Sequence, residues 1–129
     1  MSADRLFLFV GAVFALIAVA AGALGAHALQ STLTPDRLAV FETAVRYQMF
    51  HAVALCIVAW AVGRFEGRAS QLAGALFALG TLLFSGGLYV YALTGLRAAA
   101  MVAPVGGAAF IAGWACLAWL ALVAPRRPH

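Results

Sequence analysis

The sequence predicts an all-α integral membrane bundle of four transmembrane helices joined by short loops. Of its 129 residues, 66% are hydrophobic and 9% are charged, whereas soluble domains are close to half apolar and a quarter charged. Four apolar runs, each long enough to cross a hydrocarbon core of roughly 30 Å, alternate with short polar turns. We therefore expect one membrane domain over residues 1–129, with no separate soluble module.

The first helix is predicted over residues 5–29 and contains the apolar run Leu6–Ala26. Small residues recur in it at intervals of four, ending with Gly22 and Gly25, and this spacing lets two helices approach closely in lipid. A cleavable signal peptide is the alternative, because Ala26-His27-Ala28 resembles a cleavage site. The run exceeds the usual apolar core of a signal, so we expect the helix to be retained.

The second helix is predicted over residues 35–63, with Thr34 as its N-cap and Pro35 in its first turn. At 1.5 Å per residue it is roughly 40 Å long, so its first turns are expected at the membrane interface. The third helix is predicted over residues 70–94. Gly86 and Gly87 should mark close helix packing there, Ser85 should bond back within its own helix, and Tyr89 should join an interfacial aromatic belt.

The fourth helix is predicted over residues 98–124, after a turn that Gly95 should terminate. Pro104 removes a backbone donor and should kink this helix, with Gly106 and Gly107 directly behind it. A packing kink is favoured over a broken helix that binds a ligand. Trp114 and Trp119 are expected to anchor the helix in lipid or at its interface.

The polar stretch Phe41–His51 stands out from the apolar remainder of the second helix. Glu42 and Arg46 are four residues apart, acid first, the favourable order for an ion pair on a helix. Such groups within a span normally pair or line a cavity, so they predict either an interfacial ion pair or a polar site. The side chains expected to cluster where the first two helices enter the membrane from outside are His27, Glu42, Arg46, Tyr47, Gln48 and His51.

The charge distribution predicts the orientation of the bundle. The net charge of +4 comes from eight arginines against four acids, without lysine. One side of the membrane carries Arg5, Arg64, Arg68, Arg126 and Arg127, and the other carries Arg37, Arg97 and, depending on its depth, Arg46. Because arginine accumulates on the cytoplasmic side, both termini are expected in the cytoplasm. The arginines are scattered, so nucleic acid is not an expected partner.

The sequence gives no indication of a catalytic site, a metal or a cofactor. Cys56 and Cys116 both lie in apolar segments, have neither zinc nor redox spacing, and are expected to be free packing residues. Ser85 and the two cysteines have no obvious base within their own segments. We therefore predict that the protein is not an enzyme.

Several segments are similar to an uncharacterised family of small membrane proteins, domain of unknown function 423, whose eukaryotic relatives are called transmembrane protein 256. The resembling segments are Gly22–His27, Phe41–His51 (FETAVRYQMFH), Phe84–Gly86, Leu93–Gly95, Pro104–Gly107 and Gly113-Trp114. Gly87 and Ala103 depart from the pattern, in which Ser and Thr are expected, and these departures argue against a function carried by hydroxyl groups at the two positions. The resemblance implies a four-span protein of the bacterial inner membrane and implies no reaction.

Three functions are compatible with the sequence. The favoured one is a non-enzymatic bundle that acts by association with itself, with lipid or with another membrane protein, because its small-residue stripes offer ample close-packing surface. The alternative is a transporter or channel for a small solute or ion, lined by the polar residues of the second helix and the break at Pro104. A more distant one is a redox protein in which His27 and His51 bind haem iron.

Overall fold

The computed structural model describes residues 1–126, which form helices connected by short turns. The helices are α1 (Ala3–Ala26), α2 (Pro35–Arg64), α3 (Ala69–Thr94), α4 (Arg97–Met101) and α5 (Ala103–Val123), with a 3₁₀ turn at Ala28–Ser31. Within the described range there is no β-strand, and Phe65 forms only an isolated bridge with Arg126. Arg127, which entered the arginine count above, lies outside the described residues.

Four segments of residues 1–126 are long and apolar enough to cross a membrane, and they confirm the predicted fold class. They are Ala3–Ala26, Pro35–Arg64, Ala69–Thr94 and Arg97–Val123. The first helix ends before the predicted limit of residue 29, because His27 leaves helical geometry (φ −121°, ψ −77°) and the chain tightens into the 3₁₀ turn.

Local chemistry explains where the helices begin and end. The Thr34 hydroxyl accepts a hydrogen bond from the Arg37 backbone N–H at 3.4 Å, which caps α2 ahead of Pro35. At the same end of the bundle, Gly95 follows α3 with φ +76°. This left-handed conformation favours glycine and lets the chain turn sharply from α3 into α4.

The fourth span is interrupted for one residue at the kink predicted beside Pro104. It divides into α4 and α5 at Val102, just before Pro104 in the first turn of α5. Because Pro104 has no N–H, it cannot bond the carbonyl of Ala100, and the helical ladder stops there. The single predicted helix over residues 98–124 is therefore two helices along one span.

The centre of the bundle is the pair α2 and α3. α1 packs along α2, α5 packs along α3, and α1 touches α3 only slightly. Leu55 and Val58 of α2 and Phe77 of α3 are fully buried where these helices meet, and Phe110 of α5 joins them. Large apolar side chains cover the outside instead, as in Leu82, which is 62% exposed. An apolar exterior around a packed interior suits a lipid surrounding.

Glycines allow the closest helix contacts. A Cβ at Gly106 of α5 would lie 2.5 Å from the backbone nitrogen of Phe84, and one at Gly87 would lie 2.5 Å from the carbonyl oxygen of Ala99. At Gly25 it would lie 3.2 Å from the Phe41 ring. Helix backbones therefore touch directly at the first two positions, which leaves no room for a side chain.

The other glycines that were expected at packing contacts are less constrained. Gly22 and Gly107 have their nearest neighbours at 3.5 and 3.8 Å, which is ordinary van der Waals contact. Gly86 has nothing within 4 Å of the place a Cβ would occupy, so the prediction that it packs closely is wrong. Successive helical residues are turned by about 100°, and only Gly87 faces the neighbouring backbone. Gly11, which opens the small-residue stripe of the first helix, makes the tight contact expected of that stripe, and further tight contacts lie at Gly74, Gly80 and Gly113.

Candidate functional site

The polar stretch Phe41–His51 lies on α2, and its side chains point to different sides of that helix. Gln48 and His51 are 4% and 5% exposed, and Tyr47 is 39% exposed. Glu42 and Arg46 are exposed, as is His27 at the end of α1. The six side chains predicted to cluster are therefore divided, because the helical twist sends residues 42 and 46 outward and residues 48 and 51 inward.

Glu42 and Arg46 do not form the predicted ion pair. Within residues 1–126 neither side chain makes a hydrogen bond or an ion pair, although their spacing would allow one. An exposed pair of long side chains gains little from mutual attraction and loses conformational freedom when held together. The spacing alone was therefore a weak predictor of contact.

Gln48 joins three helices by hydrogen bonds. Its Nε2 donates to the carbonyl oxygen of Phe14 on α1 at 2.9 Å, and its Oε1 accepts from the Tyr89 hydroxyl of α3 at 2.8 Å. The Tyr89 ring also packs on Phe41 with centroids 5.0 Å apart. Tyr89 therefore faces the bundle interior, and its assignment to an interfacial aromatic belt was wrong.

Ser85 makes a second link between the central helices. Its hydroxyl donates to the carbonyl oxygen of Ala44 on α2 at 2.8 Å, and the side chain is 1% exposed. The expected bond back to its own helix is not made, because a carbonyl of the adjacent helix lies within reach. Together with Gln48, this residue places polar contacts at the α1–α2–α3 junction.

His51 links α2 to α5. Its Nδ1 lies 2.7 Å from the Tyr47 carbonyl oxygen, and its Nε2 lies 3.2 Å from Trp114 Nε1. Because an indole N–H only donates, Nε2 accepts and Nδ1 carries the proton, which assigns a neutral imidazole. The ring also stacks on Phe110 with centroids 3.5 Å apart and an interplanar angle of 8°. Trp114 is therefore a bridging residue and not simply the predicted lipid anchor, whereas Trp119 is 62% exposed.

The geometry does not favour a haem held by His27 and His51. Gly11 packs against the backbone of Ala52, so His51 lies level with the first half of α1, whereas His27 follows its last residue. The two imidazoles are thus roughly 20 Å apart along the membrane normal. Both nitrogens of His51 are also already hydrogen-bonded.

A groove between α2 and α5 holds two cavities, one on each side of the His51–Trp114 hydrogen bond. The outer cavity has a volume of about 520 Å³ and the inner one about 530 Å³. The outer cavity is lined by Tyr47, His51, Phe84, Pro104, Gly107, Ala108, Phe110, Ile111 and Trp114. The inner one is lined by Met49, Phe50, His51, Val53, Ala54, Ile57 and Trp114. We call these the outer and inner cavities of the α2–α5 groove.

Aromatic rings form the wall of the outer cavity. The Tyr47 ring packs on Phe84 with centroids 4.5 Å apart and lies 6.2 Å from the rings of both Phe110 and His51. The Tyr47 hydroxyl makes no hydrogen bond with residues 1–126. The cavity thus combines a broad apolar wall with one hydroxyl group able to bond a ligand oxygen.

The fold and the groove define a small four-span membrane protein whose polar groups hold its helices together. Residues 21–107 match a family described as a protein of unknown function, DUF423, and the chain belongs to this family. The match includes the polar stretch of α2 and the break before α5, and it confirms the resemblance seen in the sequence.

Three curated relatives cover nearly the same length. The UPF0382 inner membrane protein YgdD of Escherichia coli K12 is 42% identical over 114 residues, which cover 88% of this chain and 87% of the relative. The UPF0382 membrane protein SH2409 of Staphylococcus haemolyticus is 41% identical over 116 residues, 88% of this chain and 92% of the relative. YwdK, a UPF0382 membrane protein of Bacillus subtilis, is 40% identical over 111 residues, which cover 85% of this chain and 90% of the relative. No solved structure matches this chain.

These relatives fix the location of the protein. It is a multi-pass protein of the bacterial inner membrane, surrounded by lipid, as the four apolar spans and the relatives' names agree. Tyr47 and His51 were predicted as site residues from the sequence, whereas Trp114 and Phe110 of the same site were not. The Trp residue is apolar enough to suit a lipid anchor, so only the fold reveals that its N–H points to an imidazole.

Proposed function

We propose that this protein is a non-enzymatic membrane protein that binds a lipid-soluble amphiphile in the outer cavity of the α2–α5 groove. The ligand class is a molecule with an apolar chain or ring system and an oxygen that bonds the Tyr47 hydroxyl. The observation that carries the proposal is the cavity of about 520 Å³ between the two helices, walled by aromatic rings. A pocket of this size lies in the range of small-molecule sites.

The exposure of the groove supports entry from the lipid. Ile111 on the α5 side of the cavity is 74% exposed, and Tyr47 on the α2 side is 39% exposed. The cavity therefore opens to the side of the bundle, where hydrocarbon chains lie. A ligand can reach it without crossing water and without separating the packed pair α2 and α3.

The interior polar groups are engaged in hydrogen bonds within the bundle, and this supports a role in binding rather than in transport or catalysis. Gln48, Ser85 and Tyr89 are committed to bonds between helices, so they do not line a solute path. His51 has both nitrogens engaged and holds Trp114 in place, so it does not present a free base. The transporter alternative stays a prediction.

Saturable quenching of Trp114 fluorescence tests the proposal. In a Trp60→Phe, Trp119→Phe background, Trp114 is the remaining tryptophan, since the chain has three. We expect a fatty acid with brominated chain carbons, added to protein in nanodiscs of unlabelled lipid, to quench it along a saturable curve. The measurement is fluorescence against mole fraction of the probe.

A variant whose outer cavity is filled by a larger side chain is the control for this titration. Gly107→Leu projects a side chain into the outer cavity, and the backbone tolerates a Cβ there because its nearest neighbour is 3.8 Å away. Ala112→Leu adds the same side chain at an exposed position of α5 outside the lining. We expect the first variant to lose the saturable component and the second to keep it. Linear quenching in the reference protein, or equal saturation in both leucine variants, contradicts the proposal.

A further inference from the structure

One face of α2 stays uncovered along the whole helix. Its residues are Glu42, Arg46, Phe50, Val53, Ile57 and Trp60, and we call this set the α2 outer face. The four apolar members are between 44% and 61% exposed. It lies away from Tyr47; Phe50, Val53 and Ile57 border the inner cavity, and Trp60 borders a separate pocket beside the start of α1. The face therefore combines a long apolar strip with an acid and a base at one end.

The two charged residues lie within the span, below its outer end. On one side of α2, Gly22 of α1 packs on Val45 and Gly25 packs on Phe41. On another side, Ser85 bonds the carbonyl oxygen of Ala44, and α3 then continues to Thr94. Since nine helical residues rise by about 14 Å, α3 extends well beyond the Glu42–Arg46 turn, and α1 ends level with Glu42, one turn above Arg46.

Glu42 and Arg46 are not covered by other residues of this chain, and their depth indicates that a second protein surface covers them. Ionisable groups within a span are costly in lipid and are normally paired or directed to a protein interior. Neither Glu42 nor Arg46 has such a partner within residues 1–126. The covering surface must therefore present a cation to Glu42 and an anion to Arg46. These two groups must lie about one helical turn apart, as Glu42 and Arg46 do.

We infer that the α2 outer face binds a second copy of this chain in a two-fold symmetric dimer. A two-fold axis along the membrane normal brings the same depth of both α2 helices together, so the contact is isologous. Glu42 and Arg46 differ in depth by about 6 Å, one helical turn, so the long Arg46 side chain of each copy extends along this turn to Glu42 of the other, and two reciprocal ion pairs form. The same surface supplies both charges, and it is therefore complementary to itself.

The apolar strip completes the contact. Phe50, Val53 and Ile57 follow the charged turn at helical spacing, so two copies bury their strips against each other below the ion pairs. The outer cavity of the α2–α5 groove stays accessible in this dimer, because none of the α2 outer-face residues lines it, whereas the inner cavity, which Phe50, Val53 and Ile57 line, is covered. The dimer thus does not depend on the ligand proposed above.

Disulfide cross-linking in membranes tests the dimer directly. In a background with Cys56→Ala and Cys116→Ala, we expect the Val53→Cys variant to form an intermolecular disulfide on mild oxidation in native membranes. Leu16→Cys on α1 is the matched control, because Leu16 is 70% exposed but lies away from the α2 outer face. A control that cross-links as efficiently as the Val53→Cys variant overturns the inference, since the contact would then be random.

Charge reversal tests the ion pairs and the identity of the partner. In the Val53→Cys background, Glu42→Arg and Arg46→Glu should each reduce the cross-linked fraction by roughly tenfold, because like charges then meet in the interface. Combining both reversals should restore it, because the exchanged charges are again complementary between two copies. Loss without restoration points to a different membrane protein as partner. Unchanged cross-linking in the single reversals indicates that the two charged side chains lie outside the dimer contact and extend to the membrane–water interface instead, and either result overturns the inference.

Discussion

Replacing Gly106 by alanine is expected to lower the free energy of unfolding by about 2 kcal/mol, the typical cost of overpacking a tight core. The added methyl group would lie 2.5 Å from the Phe84 backbone nitrogen and 2.8 Å from the Gly80 carbonyl oxygen. These atoms belong to the α3 backbone and cannot rotate away. α3 and α5 must therefore separate, and the contacts around Phe110 loosen with them.

Gly107→Ala is the matched control for this change, because it adds the same methyl group at the next residue. Its nearest neighbour would be the Phe84 ring at 3.8 Å, an ordinary contact. We expect equal or slightly greater stability than the unsubstituted protein, since alanine favours the helix by about 0.5–1 kcal/mol. The measurement is reversible unfolding in mixed micelles. Equal loss in both variants would show that the α3–α5 approach is not as close as described.

Replacing Gln48 by leucine is expected to cost about 2 kcal/mol of unfolding free energy, because the change removes two hydrogen bonds and leaves polar groups unpaired in an apolar interior. The amide joins the Phe14 carbonyl of α1 to the Tyr89 hydroxyl of α3. Leucine has a similar volume, so the loss would reflect these bonds and not a cavity. The same unfolding assay measures it.

A double-mutant cycle separates the two bonds of Gln48. Tyr89→Phe removes the hydroxyl but keeps the ring contact with Phe41, and we expect a loss of about 1 kcal/mol. Once Gln48 is leucine, the second change should cost little, because its partner is already absent. Thr43→Val is the control, since its hydroxyl bonds only to the carbonyl of Ala39 in the same helix. Strictly additive losses for Gln48 and Tyr89 would mean that they do not interact.

The helical spans could be predicted because hydropathy and helix-ending residues act locally. Thr34 and Gly95 were identified from their own chemistry, and the structure uses both as expected. The division at Val102 was foreseen only as a kink at Pro104. Whether a proline bends a span or divides it depends on the packing of the following turn, which the sequence does not express.

The candidate site was predictable only in part, because depth along a helix can be read from a sequence and partners cannot. Tyr47 and His51 were singled out as polar side chains of the stretch Phe41–His51, but they face away from Glu42, with which they were expected to cluster. Trp114 and Tyr89 were assigned to the membrane surface, as aromatic residues with polar groups often are. Their hydrogen bonds to His51 and Gln48 require the mutual rotation of helices, which arises from packing.

Saturable photolabelling of the unsubstituted protein tests the central claim, that the α2–α5 groove is a binding site open to lipid. The probe is a fatty acid with a diazirine on its chain, applied in native membranes and mapped by peptide mass spectrometry. We predict adducts on the segment from Pro104 to Trp114 and on Tyr47 that excess unlabelled fatty acid removes. Adducts that resist this competitor, or that spread evenly over exposed residues such as Leu16 and Leu82, would contradict it.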